Sequence, residues 1–213
     1  MTGQAPAAAT RRTQAERRAQ TRALLITATI RAIAQEGYHA TTTRRVAELA
    51  GSSLGALAHH FPSRLDLITA ALDEVGRRTV EDLRVQTADL PADGPARYRT
   101  ALDAIWAYFS GELFVVWLHV WIAAAEDPVL YQRLVPLQPQ LSRAISTATA
   151  DLAPAGMSRR EWNSRLTVAL DAMRGLALRR AVEPHEPAEP RDDPWPGTRD
   201  HLAQLLSGRS RTR

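Results

Sequence analysis

Apolar positions recur every three or four residues along most of this chain, and no apolar-polar alternation is long enough to make a strand. The pattern predicts an all-α protein of about nine helices. The first is expected over residues 13–36, where Thr13 and Glu16 have capping-box spacing, Leu25, Ile26, Ile30 and Ile33 form a buried stripe, and Gly37 ends the run. A second capping box at Ser63 and Asp66 opens a long helix through Leu67, Ile68, Ala71, Leu72 and Val75. After the Pro/Gly interruption at 90–95, helices are expected over 96–110, 112–125 and from Pro128 onward. Pro136 and Pro139 must kink or split that last one. Ser158 and Glu161 open another over 159–182, and a short helix over 198–207 stops at Gly208. Residues 184–197 carry five prolines and several acids, the composition of a mobile loop.

Residues 41–66 carry the sharpest local pattern. Val46, Ala47 and Ala50 put a small apolar face on a helix that opens at Thr42 or Thr43. Gly51 supplies the backbone freedom of a tight turn, Ser52 or Ser53 caps the next helix, and that helix is barely two turns long. Two short helices about a glycine turn make the helix-turn-helix, whose second helix enters the DNA major groove. The motif spans residues 42–61.

Charge strengthens that reading. Residues 1–65 hold nine Arg against three acids, a net of +6 within a chain total of +4, so the remainder nets −2. A basic end on a mildly acidic body suits phosphate recognition, although a solvated basic surface has the same composition. Cysteine is absent, which excludes disulfides and thiolate metal sites and agrees with a cytoplasmic location. The longest apolar run, residues 113–125, is broken by His119 and is too short to span a bilayer. No His-Glu-x-x-His, phosphate-binding glycine loop or nucleophile elbow is present, so neither catalytic residues nor a cofactor or metal is expected. His59 and His60 are adjacent on a helix and diverge by about 100°, which prevents chelation.

Residues 21–67 resemble the TetR family of bacterial transcriptional regulators. The resemblance is carried by Thr21-Arg22, Glu36-Gly37-Tyr38, Ala40-Thr41-Thr42, Val46-Ala47 with Ala50-Gly51, and Ser53 to Phe61, continued by Arg64 and Leu67. It implies an N-terminal DNA-binding domain over residues 15–76, preceded by a flexible basic arm over 1–14. Residues 77–213 would form a ligand-binding and dimerisation domain. By the same resemblance, DNA contacts fall to Thr42, Thr43, Arg44, Arg45, Ser53, Leu54, Gly55, Ala56, His59, His60 and Arg64. Thr42 would cap its helix and reach a phosphate, and Arg44 would face base edges or the backbone. His60 and Arg64 would clamp flanking phosphates, contacts that position without specifying sequence. Ala58 stands where the family usually has Tyr, and Arg64 where it usually has Lys. Arg11, Arg12, Arg17, Arg18 and Arg22 are available to replace the phosphate bond that Ala58 lacks, with a solvated tail as the alternative for Arg11 and Arg12.

In the second half, Trp106, Phe109, Phe114, Trp117 and Trp121 fall within sixteen residues, with His119 among them. The resemblance implies that these six line a pocket for a small hydrophobic ligand; an ordinary helical core has the same pattern. Two amphipathic stripes, Trp162, Leu166, Ala169, Leu170, Met173 and Ala177, then Leu202, Leu205 and Leu206, resemble the family's dimer-forming pair. Packing within one chain is the alternative. The expected activity is that of a dimeric repressor, released from a palindromic duplex operator by ligand. The competing reading keeps the fold and gives the C-terminal half a protein partner.

Overall fold

The computed structural model describes residues 13–88, 90–91, 94–182 and 193–208. Among them the chain forms ten α-helices and one 3-10 turn, with no strand. Helix α1, Gln14–Ala40, opens on its capping box: Thr13 N donates to Glu16 at 2.8 Å and Glu16 N to Thr13 Oγ1 at 3.2 Å. Gly37 breaks the helix at φ 81°, but one further turn continues to Ala40 before Thr41 closes it through Tyr38 O. Helices α2 (Thr43–Leu49) and α3 (Leu54–His60) are capped by Thr42 and Ser53, each hydroxyl accepting an amide at 3.1 Å. Gly51 turns the chain between them at φ 60°.

Helix α4, Arg64–Gln86, is capped by Ser63 and runs beneath both halves of the molecule. Then come α5 (Pro95–Phe109), α6 (Glu112–Ala124), α7 (Pro128–Leu134) and α8 (Leu137–Ala148). Pro136 splits the last two. Pro139 lies in the first turn of α8, where its missing N–H has no helical partner to lose. Helices α9 (Arg159–Val182) and α10 (Trp195–Ser207) complete the fold, and Gly208 terminates α10 in the left-handed conformation at φ 71°.

Two expectations need correction or restriction. The final helix begins three residues before 198, so Trp195 to Gly197 belong to its first turn and not to a loop. Trp195 anchors that turn by stacking on Trp106, ring centroids 4.5 Å apart, and donating from Nε1 to Asp103 at 2.8 Å. Residues 184–192 of the expected loop and 1–12 of the expected arm lie outside the described residues.

The apolar interior forms two clusters. The first joins α1 to α4 with α6 and α7, uniting Leu25, Ile33, Val46, Leu57, Phe61 and Leu72 with Val116, Val120 and Leu130. The second joins the end of α4 with α5, α9 and α10, around Leu102, Trp106, Trp162, Met173 and Leu206. Helix α6 therefore serves both: Val116 and Val120 pack in the first and Phe114 in the second. Among the described residues no single helix is long and apolar enough to cross a membrane.

Candidate nucleic-acid interface and ligand cavity

Helix α3 is held by little more than Leu57, its single fully buried side chain, backed by buried Phe61. Ser53, Leu54, Gly55, Ala58 and His59 are all exposed, and Leu54 keeps 46% of its surface in water. A seven-residue helix cannot stand alone, so its packing against α1 and α2, with Leu57 and Phe61 in the first core, is what fixes its outward face. Val46 and Ala47 do the same for α2, leaving Arg44 outward and Thr43 at the margin.

The two adjacent arginines of α2 differ. Arg45 donates to Glu36 through Nε at 2.9 Å and Nη2 at 2.6 Å, and Glu48 lies 3.8 Å away. The hydrogen bonds from Arg45 hold the Glu36 carboxyl below its usual range. Arg44 is exposed and makes no ion pair with any described residue. Of the two, Arg44 is the one free to meet a ligand.

Arg64 also departs from its expected role. Its Nε donates to Thr41 O at 2.8 Å, its Nη2 donates to Tyr38 O, and its guanidinium lies 4.1 Å from the centroid of the Tyr38 ring. The side chain expected on a phosphate is thus engaged with carbonyls at the end of α1. The cause is the break at Gly37, after which the last carbonyls of α1 lack regular helical partners. Arg64→Ala is expected to lower unfolding free energy by about 1–3 kcal/mol, the range for hydrogen bonds from a charged donor. Urea denaturation measures this; an unchanged midpoint would remove the capping role.

His60 is half-buried, and burial, aided by the positive charges of Arg18, His59 and Arg22, holds its imidazole below the ordinary value. Arg22 lies over the Phe61 ring at 5.3 Å. The start of α1 and the end of α3 thereby form one basic face. Thr42 and Ser53 spend their hydroxyls on caps, and Ala56 is half-buried beside them.

The second feature is a cavity of about 340 Å³ between α5, α6, α8 and α9, walled by Tyr108, Phe109, Phe114, Trp117, Leu118, Trp121, Leu141, Ser142, Ile145, Leu170, Arg174 and Leu178. Phe109, Phe114, Trp117 and Trp121 are thus brought together as expected. Trp106 is not among them; it is stacked on Trp195 in the second core. His119 points elsewhere too, its Nδ1 2.8 Å from Ile33 O on α1. A carbonyl only accepts, so Nδ1 carries the proton. Tyr108, Ser142 and Arg174 were not anticipated. Tyr108 adjoins Phe109 in sequence and was findable, whereas Arg174 lies on the outer side of a stripe read for its apolar face.

That stripe requires a further correction. Trp162, Leu166, Ala169, Leu170, Met173, Ala177, Leu202 and Leu206 are all at most 8% exposed within the single chain, and Leu205 is half-buried. They are intrachain core, because α9 and α10 turn their apolar faces onto α5. The outward side of α9 instead presents Val168, Ala172, Gly175 and Leu178, with Val168 53% and Leu178 43% exposed.

Comparison with known proteins agrees with the geometry. The sequence profile of the bacterial regulatory proteins of the tetR family matches residues 25–71. An HTH-type transcriptional regulator of Mycobacterium tuberculosis is 34% identical over 180 residues, 84% of this chain and 91% of that protein. The HTH-type transcriptional regulator CymR of Pseudomonas putida is 31% identical over 172 residues, 79% of this chain and 83% of its own. Among solved structures, a TetR-family member from Streptomyces coelicolor superposes with TM-score 0.65 at 20% identity, covering 88% of this chain and 98% of that one. The multidrug binding protein EbrR, complexed with imidazole, gives 0.61 at 19%, covering 90% and 98%.

Proposed function

The chain belongs to the TetR family, whose members are DNA-binding transcriptional regulators and not enzymes, and from that premise we propose that it is a dimeric repressor released from a near-palindromic operator by a small apolar ligand. The observation that carries the DNA contact is the outward face of α2 and α3, with Arg44, which has no ion pair among the described residues, on it and the basic face of Arg18, Arg22, His59 and His60 beside it. Arg44 reads a base edge or a phosphate, and His60 with the α1 arginines holds the flanking backbone. Arg64 acts one step removed, fixing the end of α1 against the start of α4. Residues 15–76 serve as the DNA-binding part and the remainder as sensor and dimer surface.

The dimer would form through the outward side of α9, where Val168 and Leu178 flank small Ala172 and Gly175. A two-fold pair places recognition helices about one DNA turn, ~34 Å, or a multiple apart. Helix α6 supplies the coupling. Trp117, Leu118 and Trp121 wall the cavity, while His119 on the same helix is bonded to α1. A ligand that reshapes the cavity moves α6 and, through it, α1. It shifts operator affinity only by its differential affinity for the two arrangements, commonly ~1–3 kcal/mol.

The test is fluorescence anisotropy of the protein on duplex from its own upstream region, against a scrambled duplex, at ~150 mM salt. The expected preference is ~1000-fold or more. Equal weak binding to every candidate upstream duplex would overturn the reading.

A pH dependence follows from His60. Its imidazole is depressed in the free protein, and an approaching phosphate raises it, so binding takes up a proton. Affinity should rise as pH falls from ~7.5 toward ~5.5, by at most tenfold per unit for one proton. His60→Gln should flatten most of that slope; an unchanged slope would place His60 off the backbone.

A further inference from the structure

Four polar side chains stand in the cavity wall, and none is acidic. Arg174 and the Trp117 indole only donate hydrogen bonds, and the hydroxyls of Tyr108 and Ser142 are able to donate. No carboxylate and no side-chain amide shares that wall. Acids line the neighbouring cavities instead: Asp82 and Glu112 one that shares Tyr108 and Ile145, Asp73 and Glu81 one that shares Trp117 and Leu141, and Asp171 one that shares Ser142, Leu170 and Arg174. The Trp117 residue is 6% exposed and its Nε1 has no hydrogen-bond partner, a costly condition for a buried donor. Burial pushes the Tyr108 hydroxyl well above its usual range, so that it stays protonated, and Thr79, in the wall of the cavity that Asp82 and Glu112 line, is its hydrogen-bond partner. Arg174 already meets Asp171 through Nη1 at 2.5 Å. Asp171 is largely exposed and outside this wall, and the guanidinium has further N–H groups to give.

We infer that the effector of this cavity is an organic monoanion, with an apolar, ring-sized body against Phe109, Phe114 and Trp121 and an acidic group facing Arg174. The inference rests on the ligand-responsive reading above and adds the chemical class. A wall of aromatic rings with a guanidinium, a free indole donor and no carboxylate matches a ligand whose polar end consists of acceptor oxygens, and Arg binds a carboxylate through two parallel hydrogen bonds. A cation of the same size would bring a positive charge to Arg174 and leave the Trp117 indole without an acceptor. The protein therefore discriminates by charge as well as by size.

The experiment uses the full-length protein and three probes of one shape: naphthalene-2-acetate, its methyl ester, and 2-naphthylmethylammonium. Titration calorimetry, with tryptophan emission as a second readout, gives the three affinities. The acid is expected to bind at least tenfold tighter than the ester, with the cation weakest. Arg174→Gln should cost the acid about tenfold to hundredfold while leaving the ester within twofold. Trp117→Phe, which keeps the ring and removes the donor, should weaken acid and ester alike. Ester or cation binding as tight as the acid, unaffected by Arg174→Gln, would overturn the anion assignment and leave the sensor reading standing. No binding of any probe at millimolar concentration, with operator binding intact, would overturn both.

Discussion

Replacing Arg44 with alanine is expected to weaken operator binding by ~1–3 kcal/mol per half-site, roughly tenfold to hundredfold. The neighbouring Arg45→Ala should have a much smaller effect on base preference. The reasoning is electrostatic and local. Arg45 is bound to Glu36 at 2.6 Å with Glu48 close by, so moving it to DNA would break one set of charge-assisted bonds to form another. Arg44, exposed and without an ion pair to any described residue, has only water to give up. Competition binding across single-base operator variants also decides which contact Arg44 makes. Relaxed preference at one position identifies a base edge, whereas a uniform loss with a salt slope shallower by about 1 identifies a phosphate. An operator affinity that survives Arg44→Ala but collapses with Arg45→Ala would reverse the assignment.

Trp162→Ala is expected to cost about 3–5 kcal/mol of folding stability, the range for deleting a buried aromatic side chain. For a chain of this size that corresponds to a fall in Tm of ~6–20 °C. Trp162 is 2% exposed in the second core, among residues from α5, α9 and α10, and its indole nitrogen has no hydrogen-bond partner. Trp162→Phe therefore loses less, since it retains most of the packing and removes an unmatched donor. Scanning calorimetry at several protein concentrations separates core from interface. If Trp162 is intrachain core, the gap in Tm between variant and parent stays constant with concentration; a gap that widens on dilution would place it between subunits.

The helix-turn-helix was readable because its determinants are local. Thr42, Gly51 and Ser53 act on amides within three residues or on their own backbone, and the spacing of Val46, Ala47 and Leu57 needs only helical period to be understood. The three capping serines and threonines at 13, 63 and 158 were readable for the same reason. Trp195 lies in a proline-rich stretch whose composition reads as loop; Asp193 accepts from its amide at 3.1 Å and Pro196 fits the first turn, but its ring is anchored by Asp103 and Trp106, some ninety residues earlier. No local propensity records those two distant partners.

The amino-acid sequence by itself determined the all-helical class, the position of nearly every helix and the family resemblance, all of which depend on periodicity, caps and glycine turns spanning a few residues. Tertiary structure decided where the side chains went. An amphipathic stripe states which face is apolar but not which surface covers it, so α9 could be read as a dimer face until α5 and α10 were seen to occupy it. A guanidinium carries the same charge wherever it sits, and only the approach of Glu36 to Arg45, of the α1 carbonyls to Arg64, and of the cavity to Arg174 separates those three from Arg44.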